Sequence, residues 1–129
     1  MELYLLRHGD AGRSTTIAAG QDSGDLPLTI AGREEIALVA RSVRMLNLKI
    51  SAIVTSPLKR AVQTAKIIAR VLAIEKRISI WNELLPESDR SKLYNKRSYS
   101  VCLGLIFKIL DSQLLQHFIQ TMDESSGWG

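Results

Sequence analysis

The apolar positions of this chain fall into two patterns that alternate along its first two thirds: short unbroken runs, and longer stretches spaced by three and four residues. Leu3-Tyr4-Leu5-Leu6 is a continuous run that enters a Gly-bearing turn at once, which reads as a strand buried on both faces. Thr29 suits a helix N-cap. Ile36, Val39, Ala40, Val43 and Leu46 then recur at helical spacing. Glu34 and Glu35 lie early and Arg41 and Arg44 late, the order that the helix dipole favours. Asn47 is a natural stop. Ile50 to Thr55 is a second buried strand, ending at Ser56-Pro57. Pro57 fits the first turn of a new helix, whose inner stripe is Leu58, Ala61, Val62, Ala65, Ile68, Ala69 and Leu72. Ile78 to Trp81 forms a third strand, closing at Asn82-Glu83. Strands alternating with helices imply right-handed crossovers and a parallel sheet, hence an α/β fold.

Two stretches lack this order. Asp10 to Leu26 is rich in Gly, Ser, Thr and Asp and reads as a long loop, a length that is usually functional or disordered. Beyond Pro86 the pattern thins. Ser88 to Lys96 suits a short polar helix. Tyr99 to Leu110 is densely apolar; its length favours a helix, while Val101, Ile106 and Phe107 suit a strand. Leu114, Leu115, Phe118 and Ile119 mark a last amphipathic helix, and Asp123 to Gly129 a frayed tail. No repeat or linker divides the chain, so residues 1–129 read as a single domain.

Composition narrows the class. At 129 residues with 46% hydrophobic and 23% charged residues, the chain is globular, not disordered. Lys and Arg total 17 against 13 Asp and Glu, a net charge of +4. That modest excess favours anionic ligands. The cations are scattered and not interleaved with aromatics, so nucleic acid is not an expected partner. Cys102 stands alone between Val101 and Leu103, which reads as a buried thiol without a disulfide. No Cys/His cluster has metal-ligand spacing, and no cofactor is expected. The apolar stretch from Val101 to Leu110 is interrupted by Lys108 and too short to span a bilayer. No secretory signal is evident at the amino terminus. A cytoplasmic setting without membrane association is the expectation.

The chemistry concentrates at two strand-to-helix turns. The first strand runs directly into Arg7-His8-Gly9, placing an imidazole and a guanidinium at a strand carboxyl end. Open α/β sheets bind ligands in the crevice beyond those ends. Arg offers a planar fork for phosphate oxygens. His offers a nucleophilic ring nitrogen, and Gly lets the backbone turn and approach a ligand. The second strand runs into Ser56-Pro57-Leu58-Lys59-Arg60, so a helix amino end with its positive dipole faces the same crevice. Arg60, one turn in, can reach back over that end. Gln63 and Thr64 are suited to position the helix or orient Arg60.

Leu6-Arg7-His8-Gly9-Asp10-Ala11, then Leu28-Thr29-Ile30-Ala31-Gly32, then Ser56-Pro57 with Arg60-Ala61 and Gln63-Thr64, resembles the histidine phosphatase (phosphoglycerate mutase-like) superfamily. The short chain and the Arg-His-Gly-Asp-Ala start are similar to its small phosphohistidine phosphatase branch, the SixA type. The likeness covers residues 1 to 87. It implies a three-layer sandwich around a mostly parallel sheet. It further implies that His8 is a nucleophile that becomes phosphorylated, and that Arg7 and Arg60 hold the phosphoryl oxygens without a metal. Asp10 and Ala11 would lie in the phosphate-side loop. Glu83 occupies the region where many members carry the general acid. The other ring nitrogen of His8 is expected to donate to a backbone carbonyl, fixing the tautomer. The implied substrate is a phosphohistidine on a signalling protein; a small phosphoester is the alternative, and a domain that binds phosphate or a phosphoprotein without turnover is another.

The chain departs from the family after Arg97. Members carry a second essential histidine at the end of a late strand, in a Gly-His or Ser-His step. No such step occurs here. The other histidine of the chain, His117, lies in Leu114-Leu115-Gln116-His117-Phe118-Ile119, a helical context. The abrupt change is what a shifted reading frame near codon 97 would produce, in which case the adjacent frame restores a Gly-His strand.

Overall fold

The computed structural model describes residues 3–12, 26–85, 88–89, 91 and 106–110, the last of these as backbone. The described elements follow in the order β1 (Leu3–Arg7), α1 (Ile30–Met45), β2 (Ala52–Thr55), α2 (Lys59–Leu72), β3 (Ile78–Ile80) and β4 (Ile106–Leu110), with single 3₁₀ turns at Glu75–Arg77 and Asn82–Leu84. The strands form one sheet in the order β1-β4-β2-β3, and every pairing is parallel. The α/β architecture with a parallel sheet is therefore as the pattern implies.

β4 settles the ambiguous apolar stretch as a strand at its carboxyl end. It lies between β1 and β2, opposing Leu3 to Arg7 on one side and Ala52 to Thr55 on the other. A central strand flanked on both edges needs no polar face, which is why its sequence shows no alternation.

Both helices cover one face of the sheet and pack on each other. The core between them and β2 is built from Ile36, Ala40 and Val43 of α1, Ile53 of β2, and Ala61, Ala65, Ile68 and Ala69 of α2. Four of these are alanines, so the helices approach closely and small side chains interdigitate with large ones. The second helical layer of a three-layer sandwich would fall on residues outside the described set, as do residues 99–105, His117 and the carboxyl-terminal tail.

Several local expectations meet the coordinates directly. Thr29 caps α1, its hydroxyl accepting from the Gly32 N–H at 3.0 Å. Asn47 adopts a left-handed conformation, φ 52°, and its N–H returns to the Arg44 carbonyl, which ends the helix. Two expectations are corrected. Leu46 is not on the inner stripe: it is the C-cap and 70% exposed. Pro57 precedes α2 instead of opening it, because Leu58 is the N-cap and the Ala61 and Val62 N–H groups both return to its carbonyl. β2 also starts at Ala52, two residues later than the apolar run.

Candidate active site at the strand carboxyl ends

A parallel sheet delivers all its strand carboxyl ends to one edge. Adjacent strands are about 4.8 Å apart, so β1 and β2, separated by β4, place their ends roughly 10 Å apart. A long side chain can bridge that gap, and Arg60 does. Its Nε–H donates to Nε2 of His8 at 3.2 Å. The guanidinium that does so is buried, with Arg60 only 5% exposed.

The His8 ring is held from its other side as well. Nδ1 lies 2.7 Å from the Gly9 carbonyl oxygen. A carbonyl can only accept, so Nδ1 carries the proton and donates. Nε2 accepts from Arg60, so its one in-plane lone pair points at the guanidinium Nε–H. The two contacts together select one neutral tautomer. Nε2 is the atom left with electrons to give.

The backbone around His8 is fixed by close approach. A Cβ on Gly9 would stand 2.7 Å from the Gly32 carbonyl oxygen and 2.8 Å from Cγ1 of Ile36. A Cβ on Gly32 would collide with the Asp10 backbone in return. The turn after β1 thus lies directly on the first turn of α1, at a distance only two glycines permit. The Gly9 N–H donates to the Thr64 hydroxyl at 3.2 Å, and that hydroxyl donates to the Arg60 carbonyl at 2.8 Å. One side chain of α2 therefore links the backbone of the His8 turn to the backbone of Arg60. Gln63 completes the frame, its Oε1 accepting from the Leu28 N–H at 2.8 Å. Thr64 and Gln63 thus position the site, the former by holding two of its backbones together.

Asp10 has a different use from a phosphate contact. Its carbonyl accepts from the Thr29 N–H at 2.9 Å, and its carboxylate takes the Thr29 hydroxyl at 2.9 Å and the Gly12 N–H at 3.2 Å. These bonds close the two ends of the long loop onto the α1 cap. Ala11 is half-buried between them.

The remaining candidates, Arg7 and Glu83, sit on the same edge. Arg7 is the last residue of β1, exposed, and bonded to neither partner. Glu83 lies in the 3₁₀ turn that follows β3 and is half-buried. β3 is three strand spacings from β1, about 14 Å, so Glu83 flanks the pair from the far side of the crevice. Sequence reasoning passed over the hydroxyl of Ser56. It is fully buried at the carboxyl end of β2 and has no hydrogen-bond partner among the described residues. Nor is any side-chain cap present at the amino end of α2. A buried hydroxyl and an uncapped helix end beside a guanidinium suit an anion. Among the described residues no three His, Cys, Asp or Glu side chains cluster to hold a metal ion, and no helix is long and apolar enough to cross a membrane.

A sheet edge carrying a histidine paired with a buried arginine suits an anionic ligand, and comparison with known proteins places the fold. The chain belongs to the histidine phosphatase superfamily, branch 1, which it matches over residues 3–87. An uncharacterized protein of Picosynechococcus sp. is 46% identical over 69 residues, 54% of this chain and 40% of that protein. A protein of Photorhabdus laumondii named as the phosphoglycerate mutase GpmB is 37% identical over 75 residues, 58% of this chain and 34% of that protein. The match thus spans well under half the length of these relatives. In solved structures the fold recurs in a SixA-type phosphohistidine phosphatase assigned in Agrobacterium tumefaciens. That likeness has a TM-score of 0.77 at 18% identity, covering 96% of this chain and 77% of that one. It recurs also in the protein histidine phosphatase SixA complexed with tungstate, with a TM-score of 0.75 at 24% identity, covering 92% of this chain and 74% of that one.

Proposed function

We propose that this chain is a phosphatase domain that takes phosphate from a phosphohistidine-bearing signalling protein, through a phosphohistidine on Nε2 of His8. The observation that carries this reading is the pair of hydrogen bonds on the His8 ring, which spend Nδ1 on the Gly9 carbonyl and leave Nε2 as the nucleophile beside Arg60.

In the first step the Arg60 N–H turns from Nε2 to a phosphoryl oxygen, and the released Nε2 lone pair attacks phosphorus in line. A bond from Nε2 to phosphorus forms, the bond to the leaving group breaks, and the leaving group takes a proton from an acid, the role we assign to Glu83. In the second step the Glu83 carboxylate takes a proton from water, whose oxygen attacks phosphorus; the bond to Nε2 breaks, phosphate leaves, and both the His8 lone pair and the protonated Glu83 are restored. Such transfer needs positioning and charge stabilisation. Arg60 and Arg7 would supply the positive charge on the phosphoryl oxygens, with the Ser56 hydroxyl and the amino end of α2 as further donors. The tungstate that SixA holds is an oxyanion of the same shape as phosphate, which supports an oxyanion pocket here.

A second reading has a specific observation in its favour. β4 occupies the central place in the sheet and ends at Leu110, followed by Asp111-Ser112 and not by a histidine. A domain without the second family histidine would bind phosphate or a phosphoprotein and turn it over weakly or not at all. A small-molecule phosphomonoesterase is the third reading, consistent with the mutase name of its relatives.

Phosphate titration and turnover separate the three. The main reading predicts binding of phosphate and faster release from a phosphohistidine protein than from p-nitrophenyl phosphate. Binding without turnover selects the non-catalytic domain. Preference for small esters selects the third, and neither binding nor turnover would refute all of them.

A further inference from the structure

We infer that the outer face of α1 is a self-complementary surface on which a second copy of this chain docks antiparallel. α1 buries Ile36, Ala40 and Val43. An amphipathic helix with that face inward should show water a polar face. This one shows Ile30, Leu38 and Met45, which are 79%, 61% and 84% exposed. Single exposed apolar residues are ordinary. These three are not independent. At 3.6 residues per turn, Leu38 and Met45 fall within about 20° of one line along the helix, and Ile30 lies about 80° to one side at the opposite end.

The charges between them settle which partner fits. Glu34 lies one turn before Leu38 and Arg41 nearly one turn after it, both on the side of that line toward Ile30. Both are exposed, and neither has an ion pair among the described residues. A two-fold axis beside Leu38, perpendicular to the helix, keeps each residue on its side and inverts its height. Leu38 then meets Leu38 of the second copy. Glu34 meets Arg41 of the second copy, Arg41 meets its Glu34, and Ile30 meets its Met45. Each contact occurs twice, as an isologous interface requires. A parallel pairing would instead oppose like charges at both levels. The face is thus complementary to itself in one orientation only, which is what selects a second copy over an unrelated apolar partner.

The contact is one helix of 16 residues, about 24 Å long. A single helix pair buries less than a standard protein interface, so the dimer should be weak, with dissociation around 100 μM. The surface lies on the outside of the helical layer and includes neither His8 nor Arg60, so it does not depend on the reading of His8.

The test uses the full chain in sedimentation equilibrium from micromolar to near-millimolar concentration. Wild type is expected to pass from monomer to dimer. E34R and R41E, each at an exposed position and each opposing two like-charge pairs, should weaken association about fivefold or more. The double variant E34R/R41E re-forms both pairs with signs exchanged and should recover wild-type affinity within about twofold. A second measurement locates the axis. With Cys102→Ser as background, Leu38→Cys should give a covalent dimer with a short bis-thiol cross-linker, and Lys66→Cys, exposed on α2, should not. A wild type that stays monomeric throughout overturns the proposal. So does a double variant as weak as the singles, or equal cross-linking at both cysteines.

Discussion

At His8 two hydrogen bonds decide which atom can react. With Nδ1–H committed to the Gly9 carbonyl, Nε2 is the unprotonated nitrogen, and its lone pair is held by the Arg60 Nε–H. Arg60 is therefore more than a positive charge. In the proposed reaction its Nε–H orients His8, and its planar fork offers further donors to oxygens in the crevice. Lysine keeps the charge but has neither the Nε–H at that position nor the fork. Arg60→Lys is expected to lower kcat/KM by about a hundredfold or more, the scale seen when one preorganised charge-stabilising donor is removed. Retention of more than about a third of wild-type kcat/KM would show that charge alone suffices. Thr64 acts through others. Thr64→Val strands the Gly9 N–H and frees the Arg60 carbonyl, costing about 1–3 kcal/mol of stability. Calorimetry reads that loss, and a fall in turnover beyond it would register displacement of Arg60 against His8.

At the scale of elements, the site depends on how closely the turn after β1 lies on α1. Gly9 and Gly32 make that approach possible. Gly9→Ala sets a methyl against a carbonyl oxygen and the Ile36 side chain, and neither can move without shifting α1. A loss of about 1–3 kcal/mol is expected from overpacking, read as a lowered Tm; an unchanged Tm would mean that α1 yields to the methyl at no cost. Much of this arrangement is legible in the sequence. Thr29, Asn47 and the stripe from Ala61 to Ala69 mark both helices, because capping chemistry and helical spacing are local signals. The pairing of His8 with Arg60 follows in outline from two strand-to-turn steps that a parallel sheet must bring to one edge. Leu46 misleads because spacing alone does not tell the last inner position from a cap. The strand at Ile106 to Leu110 is ambiguous because a short, dense apolar run carries no period. The links through Thr64 and the Gly9 carbonyl are side-chain-to-backbone contacts, one across 55 residues and one between neighbours, which residue types do not announce.

For the whole molecule the open chemical question lies at the centre of the sheet. β4 runs between β1, which leads into His8, and β2, which leads into α2 and Arg60, and its carboxyl end is where the family resemblance expects a second histidine. Here the residue after Leu110 is Asp111. A carboxylate cannot supply the positive charge that the resemblance expects of a second histidine. Asp111→His is expected to raise turnover about tenfold or more, measured on a phosphohistidine protein against wild type. His117→Ala should leave turnover within about twofold, since its helical sequence context gives it no part in the site; a large loss would make His117 the missing partner. No gain from Asp111→His would mean that the crevice works with the groups on β1, β2 and α2 alone.

The most direct test is chemical labelling. A phosphodonor offered to the protein should leave a phosphoryl group that survives base and is lost in acid, the signature of a nitrogen–phosphorus bond, and it should map to His8 and vanish in His8→Ala. A label that resists acid, or one that persists when His8 is replaced, would contradict the account at its root.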